Sequence, residues 1–424
     1  MGVSIITAWW RRAVALGVMH EEGAAPQGQP APSEPAQNAA APAELDPARQ
    51  VEARRYARQR RLLSLVNLTI SAFLIGVLLL SGLNFWLRDA LAPASGAWEP
   101  VAGWQPLLVA LYFLALALAV TIIDLPLGYY SGYVLPHRYG LSTQSRAGWA
   151  WDMLKGLALS LVFELVAVVF LYWLLAISPD WWWLWIGVAA LFVSVILANL
   201  GPVLLLPLFY KLTPLPEGEV RAKTLALAEQ ARTRVRGVYS MNMSAKTTAA
   251  NAAVMGLGNT RRIVIGDTLL DRYTPDEIEV VVAHELGHQA HWDIPKLIAV
   301  QSVVTLGGFY LASLTLAAVV ANVPGYSGLS DPATMPLLAA TLGVFGLIIL
   351  PLNNGFSRLV ESQADGYALD LTGKVDAFKS AMTRMANQNL AELTPPAWVE
   401  FFLYDHPSTG RRLAFADRWA RKRH

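Results

Sequence analysis

The sequence predicts a polytopic, mostly α-helical membrane protein with a small α/β domain set between its spanning helices. Three observations carry this reading: an apolar, charge-poor composition, six long apolar stretches, and one interruption where helical periodicity gives way to short strands. Of the 424 residues, 54% are hydrophobic and 15% charged, above the apolar and below the charged share of an ordinary soluble domain. The apolar residues are bunched at about 62–87, 105–125, 152–177, 182–210, 296–322 and 335–356. As helices, these stretches are long enough to cross a hydrocarbon core of about 30 Å, which takes about 20 residues.

Composition also excludes. A net charge of +2 does not argue for nucleic acid, because most basic residues flank apolar runs instead of lining one soluble face. With no cysteine there is no disulfide, thiolate ligand or cysteine nucleophile. Any metal must sit on His, Asp or Glu.

Residues 1–20, with Ile5, Ile6, Trp9, Trp10, Arg11 and Arg12, predict a weak amphipathic helix at the membrane surface, a cleaved signal peptide being the alternative. Residues 21–50 are rich in Ala, Pro, Gln and Glu and predict a disordered tether, since they cannot bury enough apolar surface to offset ordering entropy. Residues 51–211 hold four spanning helices. Arg54, Arg55, Arg58, Arg60 and Arg61 precede the first, Arg138 and Arg146 lie in the second connection, and Lys211 follows the fourth. By the positive-inside rule both termini and the segment 212–295 are cytoplasmic. The tryptophans Trp181, Trp182, Trp183 and Trp185 then mark an aromatic anchor at the opposite interface.

Segment 212–295 reads as an α/β unit, helical over 217–234 with β-prone runs at 238–243, 249–255 and 262–266. Thr274, Pro275, Asp276 and Glu277 form a capping box with proline at the first helical position. The helix they start carries His284-Glu285-Leu286-Gly287-His288. Spacing of i and i+4 puts both imidazoles on one face, able to reach one ion, with Glu285 beside it as a general base. Zinc held by three protein ligands keeps a position open for water, and the arrangement suits hydrolysis of a peptide bond. Residues 296–366 carry the last two spans. The second continues into Ser357-Arg358-Leu359-Val360-Glu361-Ser362-Gln363-Ala364-Asp365. Glu361 is the expected third ligand and Asp365 the acceptor for a ligand imidazole N–H. His291 is the rival third ligand. Residues 367–424 form a C-terminal cap containing His406, which by itself reads as structural.

These motifs, in this order, resemble the integral-membrane CAAX prenyl endopeptidase family of gluzincin zinc metallopeptidases. The likeness runs from about residue 60 to 420 and rests on Pro207 to Leu215, Asn251-Ala252, Arg262 to Leu270, His284 to His288, Ser357-Arg358 with Glu361 and Ala364-Asp365, and His406-Pro407. The resemblance implies one Zn2+ per chain and helices ringed around a water-filled intramembrane chamber beneath a gluzincin-type zinc domain. It also implies an edge strand at Asn251 and Ala252 that pairs with an extended peptide or protein substrate. His406 and Arg358 become candidates to stabilise the oxyanion. Eukaryotic members have seven spanning helices, whereas six are expected here. The Ala/Arg/Trp-rich composition points to a bacterial inner membrane, where prenylated substrates need not exist.

Asp124 and Glu164 fall in apolar stretches, where facing lipid costs several kcal/mol. They either line the chamber or make helix-to-helix bonds, Lys155 being a candidate partner. Within the enzyme reading, processing of CAAX-type substrates and general quality control of membrane proteins stay open. A transporter, the reading from another class, predicts internal repeats or paired broken helices, and the sequence carries neither.

Overall fold

The computed structural model describes residues 43–423 apart from 97, 98, 100–102 and 257. The amphipathic helix expected over 1–20 lies outside the described residues, as does most of the tether. Its last part is ordered: α1, Pro47–Leu80, starts inside it, because Asp46 caps the helix and Pro47 occupies its first position. Six helices among the described residues are long and apolar enough to span a membrane: Pro47–Leu80, Pro106–Arg138, Arg146–Ile177, Trp182–Leu208, Asp293–Asn322 and Pro332–Thr372. A shorter helix, α2 (Leu83–Ser95), takes up the end of the first apolar stretch, whose spanning helix stops at Leu80. The spans build on α3 (Pro106–Tyr129), α4 (Arg146–Ile177), α5 (Trp182–Leu200), α8 (Asp293–Asn322) and α9 (Met335–Thr372).

Phe73, Leu80, Ile122, Val166, Phe192 and Leu352 are exposed along these helices, as expected where hydrocarbon is the solvent. At one end, α2 is tied to the start of α9: Asp331, fully buried at its side chain, takes Arg88 Nη1 at 2.5 Å, and Asn84 Nδ2 donates to Ala333 O at 3.1 Å. Trp182 is 0% exposed, so it belongs to the packed core and not to the expected anchor; Trp181 and Trp185 are the exposed pair. Asp124 accepts from Asn67 Nδ2 at 3.3 Å, a helix-to-helix bond. Glu164 is half-buried, and Lys155 lies 3.2 Å from Asp152.

Between α5 and α8 the chain forms four strands, β1 (Leu212–Pro214), β2 (Val238–Met241), β3 (Ala252–Met255) and β4 (Arg262–Gly266), with α6 (Glu219–Gln230) and α7 (Pro275–Ala290) beside them. The sheet order is β1-β2-β4-β3. β2 and β4 are parallel, and the outer pairs antiparallel. After α9 come α10 (Val375–Gln388), α11 (Ala397–Leu403) and α12 (Thr409–Arg421). One core joins α10 and α12 to the sheet: Leu227, Ile263, Ile278, Leu286, Phe378 and Ala416 are buried in a single cluster.

Candidate metal centre and active site

The helix that carries His284 and His288 begins as its sequence requires. The Thr274 hydroxyl accepts from Glu277 N at 3.2 Å and Glu277 Oε2 accepts from Thr274 N at 2.9 Å, satisfying two amides that a helix start leaves without partners. Glu277 also accepts from Ser380 Oγ at 2.5 Å and Arg384 Nη2 at 3.2 Å, so the cap binds α7 to α10.

α7 packs closely on α9 at Gly287. A Cβ there would lie 3.2 Å from Ala364 Cα and 3.3 Å from Tyr367 Cβ, tighter than most carbon contacts. Glycine in mid-helix costs about 1 kcal/mol relative to alanine, and here it lets the two metal-site helices approach. Gly287→Val is expected to push them apart and weaken zinc retention about tenfold or more, since overpacking costs about 1–3 kcal/mol. Zinc content after dialysis against a graded chelator checks this; wild-type retention would mean that the helices yield without disturbing the site.

His284, His288 and Glu361 each bring one ligand atom to within 4.8 Å of the others. Glu361 Oε2 is 3.2 Å from His284 Nε2, and Oε1 is 3.6 Å from His288 Nε2. The Nδ1 atoms are held elsewhere: His284 by Asp365 Oδ1 at 2.9 Å, His288 by Asp293 Oδ2 at 3.0 Å. A carboxylate accepts, so each Nδ1 carries a proton and Nε2 is the ring nitrogen left for a metal. Burial pulls the His284 imidazole down, but the neighbouring carboxylates of Asp365 and Glu361 outweigh this and push it up to about 9. The site therefore favours positive charge. Glu361 Oε2 is buried without a hydrogen-bond donor, an arrangement costly for a carboxylate oxygen unless a cation takes it. Two neutral imidazoles and a carboxylate with an orphaned oxygen fit zinc.

Two supporting residues escaped the sequence reading. Asp293 reaches back to His288 because Trp292 stands in the left-handed region at φ 58°, a conformation that costs a side-chain-bearing residue roughly 1–2 kcal/mol. Arg412, from α12, grips Asp365 with Nε at 2.9 Å and Nη2 at 2.5 Å, a two-point bond that fixes the carboxylate behind His284. Asp293 stands five residues beyond His288, the one sequence signal for it. Arg412 had none beyond the basic character of the C-terminus.

His406 Nε2 lies 3.2 Å from Glu361 Oε1, and its Nδ1 is 2.9 Å from Asp405 Oδ1. Glu285 is half-buried on α7. Arg358 is not brought to this cluster by any of its hydrogen bonds. Its Nη1 donates to Glu400 O at 2.9 Å, Phe401 O at 3.3 Å and Tyr404 O at 2.5 Å, closing the end of α11. His291 caps α7 and packs on Tyr367 at 5.4 Å, outside the metal group.

Asn251 and Ala252 differ in what they present. β3 is an edge strand, paired with β4 in the register Ala252↔Ile265. Gly266 N donates to Asn251 O at 2.9 Å, so Asn251 and Ala253 bond to β4 while the polar groups of Ala252 and Val254 point away from it. Gln289, next to His288, lies 3.5 Å from Val254 O. The outward edge therefore runs beside the metal-site helix.

Fold and site together define a membrane-embedded zinc metallopeptidase. The family model for Peptidase family M48 matches residues 214–420, and the one described as CAAX prenyl protease N-terminal, five membrane helices, matches residues 35–211. The uncharacterized metalloprotease YhfN of Bacillus subtilis is 30% identical over 378 residues, 88% of this chain and 87% of that protein. CAAX prenyl protease 1 of Saccharomyces cerevisiae is 29% identical over 327 residues, 72% and 70% of the two chains. The crystal structure of S. mikatae Ste24p shares the fold, with a TM-score of 0.76 at 24% identity over 88% of this chain and 89% of that one. The chain belongs to peptidase family M48.

Proposed function

We propose that His284, His288 and Glu361 hold the catalytic zinc, that Glu285 is the general base, and that His406 stabilises the oxyanion of the scissile carbonyl. The observation that carries this is the convergence of two Nε2 atoms on the buried Glu361 carboxylate, one oxygen of which, Oε2, has no hydrogen-bond partner. When bound, zinc polarises the carbonyl and acidifies water to a pKa of about 7. Asp365 and Asp293 keep both imidazoles in the ligating tautomer, and Arg412 keeps Asp365 in place. Glu285 takes the proton of the attacking water and passes it to the leaving amine. His406 donates to the oxygen on which charge develops.

Substrate enters as an extended strand along β3, its backbone meeting the outward groups of Ala252 and Val254. Basic flanks at Arg54 to Arg61, Arg138, Arg146 and Lys211 support a cytoplasmic position for this site and both termini. The relatives named CAAX prenyl protease 1 support a C-terminal C-a-a-X substrate, whereas the relative at 30% identity is named only as a metalloprotease. General processing of membrane-associated peptides is therefore the second reading.

Purified protein incubated with a farnesylated C-a-a-X peptide and with a plain extended peptide tests both. Cleavage of either by mass spectrometry, lost in Glu285→Ala, is expected, and preference for the farnesylated peptide selects the first reading. Equal cutting selects the second. No cleavage by zinc-loaded protein would overturn the peptidase assignment for these substrate classes.

A further inference from the structure

The loop carrying His406 is held by the first spanning helix. Glu392 is 5% exposed; it accepts from Arg61 Nη1 at 2.6 Å and from the Tyr404 hydroxyl at 3.0 Å. Arg61 belongs to α1. The same helix grips the backbone on both sides of Glu392: buried Gln50 donates through Nε2 to Ala391 O at 3.1 Å and accepts from Leu393 N at 3.0 Å. Arg358 secures the carbonyl of Tyr404 from α9. Tyr404 stands two residues before His406, whose Nε2 is 3.2 Å from Glu361.

A buried ion pair is a poor device for stability, because desolvating both charges offsets most of their attraction and apolar residues of like volume serve as well or better. Its distinctive contribution is direction. Glu392 Oε2 has two donors, one from a membrane helix and one from the catalytic loop. Burial and then the neighbouring Glu392 charge push the Tyr404 phenol well up, so it remains a donor.

We infer that Glu392 is a positioning residue for the peptidase reaction: by bridging Arg61 and Tyr404 it sets the 404–408 loop so that His406 meets the reacting carbonyl, which makes α1 part of the catalytic apparatus. This rests on the reading of His406 as the oxyanion-stabilising group. Displacing such a group by about 1 Å costs up to about 10²-fold in rate. It leaves zinc in place, because Arg61, Glu392 and Tyr404 are not in the ligand set.

The experiment is steady-state kinetics with zinc content on full-length wild type, Glu392→Gln, His406→Ala, the double variant and Arg61→Lys. Expected for Glu392→Gln is a fall in kcat of roughly 10- to 100-fold with KM and zinc per chain unchanged. Arg61→Lys, which keeps the charge, should retain most of kcat. In the His406→Ala background Glu392→Gln should add nothing, because residues acting through one group are not additive. Full additivity would mean general loosening and would overturn the inference, as would an unchanged kcat or lost zinc. If His406→Ala slows the enzyme and Glu392→Gln does not, only the positioning role fails; if His406→Ala changes nothing, the reading of His406 fails as well. Should Glu392→Gln not fold, Tyr404→Phe, which removes one hydroxyl, must show the same non-additivity.

Discussion

Glu285→Ala is expected to lower turnover by about 10³-fold while zinc stays at wild-type content. A positioned general base contributes about 10²–10⁴-fold, and Glu285 is proposed to move two protons in each cycle, from the water and to the leaving amine. The side chain stands between the two histidines in sequence but outside the group of ligand atoms that converge. Its loss should therefore empty no coordination position. Metal analysis of the purified variant beside its turnover on a plain peptide checks the claim. An inactive variant without zinc would move Glu285 into the ligand set; a fully active one would remove it from the mechanism.

Glu361→Ala should do the opposite and act first on the metal. Structural zinc in finger peptides is bound with about 10–16 kcal/mol, shared among four ligands, so one ligand is worth roughly 2.5–4 kcal/mol, or about two to three orders of magnitude in affinity. The loss also removes the carboxylate that lies near His284, His288 and His406 alike, leaving three imidazoles without the negative charge they share. Competition against a chelator of known zinc affinity measures the shift. Retention of zinc at wild-type affinity would show that the third ligand lies elsewhere, and His291 would be the next residue to change.

The contrast between these two carboxylates shows what could be read from residues alone. The i, i+4 histidines, the capping box at Thr274 and Glu277 and the apolar stretches are local patterns, written within one helix or a few turns of it. They determined that six helices among the described residues are long and apolar enough to span a membrane, that one helix presents two imidazoles together, and that a carboxylate beyond the last span could join them. The short strands were legible for the same reason, except β1, whose three residues Leu212–Pro214 carry no alternation to detect.

Asp365, one turn beyond Glu361, could be named from the sequence as the acceptor for a ligand imidazole, but the other supports of the site were decided only by tertiary structure. Arg412 meets Asp365 across 47 residues of chain, a contact that depends on how α9 and α12 pack and leaves no periodic trace. Asp293 is near His288 in sequence but reaches it only because Trp292 adopts a backbone conformation that local preference disfavours. Gly287 would weaken an isolated helix, and only the approach of Ala364 in the folded chain gives its missing side chain a use. The Pro/Ala-rich segment predicted a tether, yet Ala43 N donates to Ser380 Oγ at 2.7 Å and Asn387 Nδ2 to Glu44 O at 2.8 Å. Docking on α10 supplies the ordering energy that the segment's own composition lacks. Local chemistry thus determined which groups could bind a metal, and long-range packing decided which of them are held still enough to do so.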